Sequence, residues 1–301
     1  MRAHRSALDS IASLHGAVTI AELRTAGITP ALQRTAEARG LLVKTGVHTF
    51  RAGLVRPTLT DELAYLIADL GPSAWASGPT AAALLGFDGF ALRRPLHVTV
   101  LRGRNLTRSG AVVHTTLELR PIDRTVRNGI PVTSAPRTII DLASTCSVAE
   151  LTQAIDSMIR DRRGSDDLLH RRVLALRGSG RRGIARLVAA LDGADAARGG
   201  HSFLERSYLR LLGAAGLPAP ATQAELGRDR VIRVDCRWPG TPLVVELLGY
   251  LWHRTARQMQ ADARRQNELT LAGFTVLAFT YRDVLEEGAH VVVTTARALG
   301  R

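Results

Sequence analysis

The N-terminal part of the chain places apolar side chains at helical spacing between glycine breaks. Residues 7–15 form one predicted helix. Thr19 and Glu22 have the spacing of a capping box, which predicts the start of a second helix. Thr29 precedes Pro30, and because a proline in the first helical turn loses no hydrogen bond, a third helix is predicted to start there. The pattern therefore predicts three short helices in succession.

Two β-prone runs around Gly46 follow the third helix and complete the layout of a winged helix-turn-helix over residues 1–56. In that layout the third helix enters the major groove of DNA, and we expect the hairpin to lie near the phosphates. The candidate nucleic-acid-binding residues are Gln33, Arg34 and Arg39 on the helix and Lys44 and His48 on the hairpin. A small helical domain that contacts other proteins is the alternative.

Residues 57–146 alternate between helical and strand patterns, which predicts a mixed α/β middle domain. A predicted strand near its end leads into a helix with Pro136 in the first turn. His97 and His114 alternate with the apolar positions of two other predicted strands. That placement is typical of structural histidines rather than metal ligands, and the segment has no catalytic spacing of residues.

Residues 147–199 are helical and basic, and small polar residues at the end of this segment predict a domain boundary. Arginines are densest between Arg160 and Arg186. One interpretation is a solvated helical face. The other is a surface that contacts phosphates beside a nucleic-acid groove.

Residues 200–301 predict the order helix, strand, strand, helix, strand, helix. Glu205 lies on the first helix, Asp235 on the first strand and Glu246 on the second strand. Glu246 is the one charge in an apolar strand, and a buried unpaired charge is costly. A metal ion and a salt bridge to an arginine are the two forms of compensation that the sequence leaves open.

Carboxylates on adjacent strands provide the oxygen ligands that Mg²⁺ prefers. In a metal-dependent site Asp235 and Glu246 would bind the ion, which activates water and stabilises developing charge. Glu205 would complete the metal shell or orient the water, and His253 would protonate a leaving group or contact phosphate. The residues alone therefore allow a site that hydrolyses phosphodiesters with Mg²⁺ as its cofactor, beside the alternative of an arginine-paired acid.

Five segments of the C-terminal region carry a family resemblance. They are LERSYLRLL, RVDCRWP, LVVELLGYLWH, DARRQNELTLAGFTVL and FTYRDV, in this order over residues 200–300. Together they resemble the DUF559 and very-short-patch-repair-like branch of the PD-(D/E)XK endonuclease superfamily. The resemblance implies a restriction-endonuclease-like αβ core and Mg²⁺-dependent cleavage of DNA. The matched positions are the catalytic Glu205, Asp235, Glu246 and His253 and the supporting pair Asp262 and Arg265.

The N-terminal region resembles a different family. The segments TIAEL, GIT and RGLLVKTGVHTF are similar to the N-terminal domain of AbiEi-type antitoxins over residues 5–53. The segment TSAPRTIIDLAS is typical of the middle region of AbiEi-like proteins. The resemblance implies a DNA-binding regulator, with a toxin as a protein partner.

Leu248 departs from the endonuclease pattern, because relatives carry a polar or charged residue two positions after the second acid. A leucine can neither bind a metal nor polarise water. Two functions therefore stay open: a DNA-binding protein with a metal-dependent endonuclease site, and a non-catalytic regulator of antitoxin type with a degenerate nuclease fold. A scaffold that binds a toxin is a third.

Composition adds weak support for a nucleic-acid partner. The 301 residues include 40 Lys+Arg and 27 Asp+Glu, for a net charge of +13, which suits a polyanion. Lys44 is the only lysine and the basic excess is spread along the chain. Cys146 and Cys236 are isolated and predict neither a zinc site nor a disulfide. Without an apolar run of membrane-spanning length or a signal-peptide core, we expect a multidomain α/β protein of the cytoplasm with no membrane partner.

Overall fold

The computed structural model describes residues 15–53, 56–103, 106–176, 182–197, 202–226, 232–249 and 256–301. The chain forms two compact units. One comprises Met1–Arg172 with Gly180–Gly183, and the other comprises Val173–Ser179 with Ile184–Arg301. The mixed α/β architecture predicted from the sequence is confirmed, with three sheets among the described residues. No helix in that part of the chain is both long and apolar enough to cross a bilayer.

The N-terminal part of the first unit is a small three-stranded sheet with two helices. Its elements are β1 (Ala17–Thr19), α1 (Ile20–Thr25), α2 (Pro30–Ala38), β2 (Leu42–Lys44) and β3 (Thr49–Ala52). The strand order is β1-β3-β2, and both strand pairs are antiparallel. The predicted caps are present, since Thr19 and Glu22 form a capping box and Thr29 accepts from the backbone of Leu32. The first predicted helix, residues 7–15, lies almost wholly outside the described residues.

A buried aspartate fixes the loop of the β2–β3 hairpin. Asp69 is 6% exposed, and its Oδ1 accepts from the backbone N–H of His48 at 2.6 Å. Its Oδ2 accepts from Nε of Arg108 at 2.6 Å. Burial alone would raise the pKa of Asp69, but these two donors hold it below its ordinary value. The hairpin loop is therefore held by a charged anchor in the rest of the unit.

A five-stranded sheet forms the rest of the first unit. Its elements are α3 (Leu59–Leu70), β4 (Ala74–Ala76), α4 (Gly78–Leu85), β5 (Leu96–Leu101), β6 (Ala111–Thr116), β7 (Arg124–Arg127), β8 (Ile130–Thr133), α5 (Ala135–Leu142) and α6 (Val148–Arg160). The strand order is β6-β5-β4-β8-β7. Strands β5 and β6 are parallel, as are β4 and β8. The chain then forms α7 (Asp166–Leu176), which begins in the first unit, and α8 (Ile184–Ala197), which belongs to the second unit.

The arginine-rich stretch from Arg160 onward is extensively ion-paired. Arg160 contacts Asp88 at 2.6 Å and Asp161 at 2.9 Å. Arg171 contacts Asp167 at 2.8 Å. Carboxylates therefore already occupy the guanidinium groups of Arg160 and Arg171.

The second unit is built on a four-stranded sheet. Its elements are α9 (Phe203–Ala214), β9 (Ala221–Leu226), β10 (Ile232–Arg237), β11 (Leu243–Leu248), α10 (Ala256–Leu271), β12 (Thr275–Thr280), α11 (Tyr281–Glu286) and α12 (Gly288–Ala298). The order is β12-β11-β10-β9, with β11 and β12 parallel and the other pairs antiparallel. The predicted order is present with one added strand, β9. The single closing helix predicted from the sequence is two helices, because the backbone leaves the helical conformation at Glu287.

Candidate functional site: an acidic cavity beside strand β10

Strand β10 changes its buried face at Asp235. Val234 is fully buried in an apolar cluster with Leu269 of α10. Cys236, two residues later, is fully buried in a separate cluster with Phe279. Residues two apart on a regular strand point to the same face of a sheet. The strand is therefore irregular at Asp235, which lies between two cores.

The neighbouring strand β9 has a matching irregularity at Gln223. The ladder between β9 and β10 pairs Val234 with Ala224 and Cys236 with Thr222. Between these pairs, Gln223 has a φ of +50°. A left-handed conformation costs a residue with a side chain roughly 1–2 kcal/mol. Such strained positions cluster at functional sites, where the surrounding structure compensates for them.

Gln223 connects two carboxylates. Its Nε2 donates to Oε1 of Glu205 at 2.8 Å, and its side chain also hydrogen-bonds Asp235. Glu205 lies in the first turn of α9 and is 6% exposed. Ser202 caps that helix by accepting from the backbone N–H of Glu205 at 3.2 Å. The cap and the amide thus fix Glu205 close to Asp235.

Asp235 is also tied to strand β11. Its Oδ2 accepts from the backbone N–H of Leu247 at 2.7 Å. The antiparallel β10–β11 ladder pairs Cys236 with Val245. Asp235 precedes Cys236 and Glu246 follows Val245, so the two acids lie at the same end of the ladder. Both acids line a cavity of about 320 Å³. Its other lining residues are Leu247, Leu248, Gly249, Arg265, Gln266, Leu269, Val276 and Ala278.

Arg265 compensates the charge of Glu246. The Nη2 atom of Arg265 lies 2.6 Å from Oε1 of Glu246, and Arg265 also donates to the backbone carbonyl of Arg233. The side chain of Glu246 is 16% exposed and that of Arg265 is 41% exposed. The arginine is therefore the more accessible member of the ion pair.

The cavity disfavours the charged form of Asp235. Burial is the largest cause that raises the pKa of this carboxyl, and the negative charge of Glu205 adds to it. The N–H of Leu247 and the positive charge of Arg265 oppose the rise but do not cancel it. Burial also raises the pKa of the neighbouring Cys236 thiol to about 12, which keeps that side chain protonated and unreactive. Added positive charge at Asp235 would be electrostatically favourable.

The structure brings together three of the predicted catalytic residues and one supporting residue: Glu205, Asp235, Glu246 and Arg265. His253 lies outside the described residues. Asp262 lies within α10, and its side chain is likewise outside the described part of the chain. Leu248 lines the cavity. Among the described residues, no group of three or more His, Cys, Asp or Glu has the arrangement of a metal site.

Sequence reasoning missed Gln223. The sequence signal that could have found it is a polar side chain in the strand that precedes Asp235. Its role depends on a positive φ in a non-glycine residue, which no local pattern specifies.

The predicted nucleic-acid-binding residues occupy one helix and one hairpin. Arg34 is exposed on α2, and Arg39 is exposed at its C-terminal cap. Lys44 and His48 are exposed at the two ends of the hairpin loop. Gln33 is half-buried, and its Nε2 donates to Oε1 of Glu37 at 2.9 Å. Four of the five side chains are therefore exposed, and Gln33 makes a contact within its own helix.

Comparison with known proteins finds distant relatives. No family model matches the chain. Uncharacterized protein MT2308 and uncharacterized protein Rv2248, from two strains of Mycobacterium tuberculosis, are each 28% identical over 247 residues. Each alignment covers 81% of this chain and 88% of the relative. Among solved structures, the crystal structure of the Rv2827c protein from Mycobacterium tuberculosis is similar with a TM-score of 0.44 and 18% identity, covering 75% of this chain and 88% of that one.

Proposed function

We propose that the protein binds DNA and that its second unit carries a metal-dependent phosphodiester-hydrolysing site of restriction-endonuclease type. The observation that carries the proposal is the cavity in which Asp235 and Glu246, from neighbouring strands, line one wall beside Glu205. Two adjacent carboxylates in a site whose burial raises a pKa call for a positive charge. Carboxylate oxygens are good ligands for a hard divalent cation.

The carboxylates of Asp235 and Glu246 are suitable ligands for Mg²⁺ once Arg265 has moved away from Glu246. Asp235 and Glu246 would hold the ion, and Arg265 is exposed enough to leave the carboxylate. When bound, the metal would supply an activated water and positive charge opposite a phosphodiester oxygen. Glu205 holds the position of Asp235 through Gln223. Arg265, once released, contributes a cation that can contact phosphate.

The DNA-binding part of the proposal rests on the first unit. The order β1, α1, α2, β2, β3 supports a winged helix-turn-helix, in which α2 would be the recognition helix and the β2–β3 hairpin the wing. The exposed Arg34 and Lys44 lie on those two elements. We propose contact of these side chains with the DNA backbone.

A second function is favoured by a specific observation. The ion pair between Arg265 and Glu246 satisfies the acid without a metal, and Leu248 stands where a polar residue would assist hydrolysis. These features support a non-catalytic DNA-binding regulator, of antitoxin type and with a toxin as protein partner, in which the nuclease fold is degenerate.

One assay separates the two functions. Purified full-length protein is incubated with supercoiled plasmid and either Mg²⁺ or Mn²⁺, and nicked product is quantified. We expect nicking that disappears in Asp235→Ala and persists in Glu225→Ala, an exposed acid on β9 that does not line the cavity. Equal nicking by wild type and Asp235→Ala would refute the catalytic site. No nicking by wild type, together with a metal-independent footprint on DNA, would establish the regulator instead.

A further inference from the structure

The acidic cavity of the second unit has one cation among its described lining residues, Arg265. The Nη2 atom of this arginine donates to Oε1 of Glu246 at 2.6 Å and also to the backbone carbonyl of Arg233. Its positive charge acts on Asp235 as well, where it favours the ionised carboxylate. Arg265 therefore connects α10 electrostatically to both of the strands that carry the acids.

A buried leucine fixes the backbone of α10 at the place where Arg265 begins. Leu269 is 1% exposed and packs in a cluster with Val234 of β10 and Val244 of β11. Arg265 lies four residues before Leu269, which is about one helical turn away on the same face. The helix is therefore held against the sheet, whereas the long side chain of Arg265 has rotamers of its own. A change of rotamer can move the guanidinium while the helix stays in place.

The two members of the ion pair differ in their access to solvent. The side chain of Arg265 is 41% exposed and that of Glu246 is 16% exposed. An ion pair with an exposed member is a weak interaction, so a competing anion can displace the arginine at a small cost. A phosphate is such an anion, because the planar donors of a guanidinium match phosphate and carboxylate oxygens alike. Leu248, which also lines the cavity, has no charge to offer a phosphate.

We propose that a DNA phosphodiester binds Arg265 and thereby releases Glu246 to a divalent cation, so that DNA and metal bind the cavity cooperatively. This coupling rests on the proposed function, since it requires Glu246 to be a metal ligand. In protein without DNA, the ion pair weakens the binding of the metal by Glu246. Once a phosphate has drawn the guanidinium away, the carboxylate needs another positive charge, which the metal supplies.

The coupling acts in both directions. If the phosphate raises the affinity for the metal by a given factor, the metal must raise the affinity for the phosphate by the same factor. A bound metal also repels the guanidinium, which favours the position of Arg265 on the phosphate. The ion pair that is broken sets the size of the effect. For a partly exposed pair this size is about two- to fivefold in affinity.

Calorimetric titration of the full-length protein with Mn²⁺ tests the coupling. Each variant is titrated alone and with a saturating short DNA duplex of phosphorothioate linkages, which keep the backbone charge and resist hydrolysis. We expect the duplex to raise the Mn²⁺ affinity of wild type about two- to fivefold more than that of Arg265→Gln. Without the duplex, Arg265→Gln should already bind Mn²⁺ more tightly than wild type, because its Glu246 has lost the competing cation.

Arg264→Gln is the matched control. Arg264 is the adjacent arginine of α10, is exposed and does not line the cavity. A duplex carries an atmosphere of cations and concentrates Mn²⁺ near any protein that it binds. This non-specific gain is the same for both variants, since each loses one positive charge. Arg264→Gln should therefore keep the full gain of wild type, and only Arg265→Gln should lose part of it.

The reverse measurement checks reciprocity. Mn²⁺ should tighten binding of the same duplex to wild type by the same factor, measured by fluorescence anisotropy. An equal gain in wild type and Arg265→Gln would overturn the coupling and leave the proposed function standing, as would an equal loss of the gain in Arg264→Gln. A Mn²⁺ affinity that Asp235→Ala leaves unchanged would refute the metal site itself, and the coupling with it.

Discussion

Arg265 contacts Glu246 through an ion pair of 2.6 Å in the cavity that Asp235 also lines. The guanidinium supplies the positive charge that a divalent cation would otherwise supply. In the proposed metal-dependent site, arginine and metal would therefore compete for the same carboxylate. The two functions proposed for the second unit differ in which of them Glu246 binds in the working protein.

Removing the arginine tests this competition. We expect Arg265→Gln to raise the affinity for Mn²⁺ by about two- to fivefold, because a partly exposed ion pair contributes about 0.2–1 kcal/mol. Calorimetric titration with Mn²⁺ measures the change. Arg264→Gln, which changes a neighbouring arginine outside the cavity lining, is the control. An unchanged Mn²⁺ affinity in Arg265→Gln would show that Glu246 is not a metal ligand.

The raised pKa of Asp235 makes stability depend on pH. The folded state favours the protonated carboxyl, so the free energy of unfolding falls as pH rises from the unfolded pKa near 3.8 through the higher folded pKa. We expect Asp235→Asn to be more stable than wild type at pH 7 and equal to it at pH 3. Urea unfolding at the two pH values checks this. A destabilised Asp235→Asn at pH 7 would mean that the carboxylate charge is already compensated.

Gln223 is expected to stabilise the fold through its side chain and strain it through its backbone. Gln223→Ala removes one donor to the buried Glu205 while the positive φ remains, and we expect a loss of about 1–3 kcal/mol. Gln223→Gly also removes the donor but relieves the backbone strain. It should therefore be more stable than the alanine variant by about 1 kcal/mol. Equal stability of the two variants would show that the φ of +50° carries no strain.

The exposed basic side chains of the first unit should bind DNA mainly through phosphates. We expect Arg34→Ala and Lys44→Ala each to weaken binding to unrelated duplexes uniformly. Each should also lower the slope of log affinity against log salt by about 1. Fluorescence anisotropy at several salt concentrations measures the slope. Arg24→Ala removes an exposed arginine on α1 that is not among the predicted contacts. An equal effect of Arg24→Ala would indicate binding through net charge alone.

Nδ1 of His97 lies 3.1 Å from Nε2 of His114, and this histidine pair should make the first unit sensitive to acid. Because burial lowers the pKa of His97 and His114, the unfolded chain takes up protons first as pH falls below about 6.5. Stability is therefore lost between that pH and the lower folded pKa values. His97→Gln with His114→Gln should reduce this loss, measured as the change of Tm between pH 7 and pH 5. A pH dependence identical to that of wild type would place the acid-sensitive groups elsewhere.

Local signals in the sequence predicted the features that depend on neighbouring residues. The caps at Thr19 and Thr29 were found because a cap is defined within three positions. The mixed α/β architecture was found from the helical and strand patterns. Arginine compensation of Glu246 was one of two alternatives, and a lone acid in an apolar strand could not reveal which partner it meets.

Tertiary contacts determine the features that the sequence did not reveal. The hydrogen bonds of Gln223 could not be predicted from the sequence. Glu205 and Asp235 are far apart along the chain and meet only after folding, so no short stretch of sequence contains both. His97 and His114 were predicted separately, as structural residues of two strands. Their contact arises because β5 and β6 pair in parallel with Thr99 opposite His114. That contact is a property of the assembled sheet.

The face change in strand β10 couples the acidic cavity to two separate layers of packing. Val234 packs on one side of the sheet and Cys236 on the other. A shift of either half of the strand along its axis would therefore displace Asp235. Deleting or inserting one residue in β10 would shift one anchor relative to the other and turn the carboxylate away from the cavity. Redesign of this strand must therefore conserve its length even where its side chains are replaced.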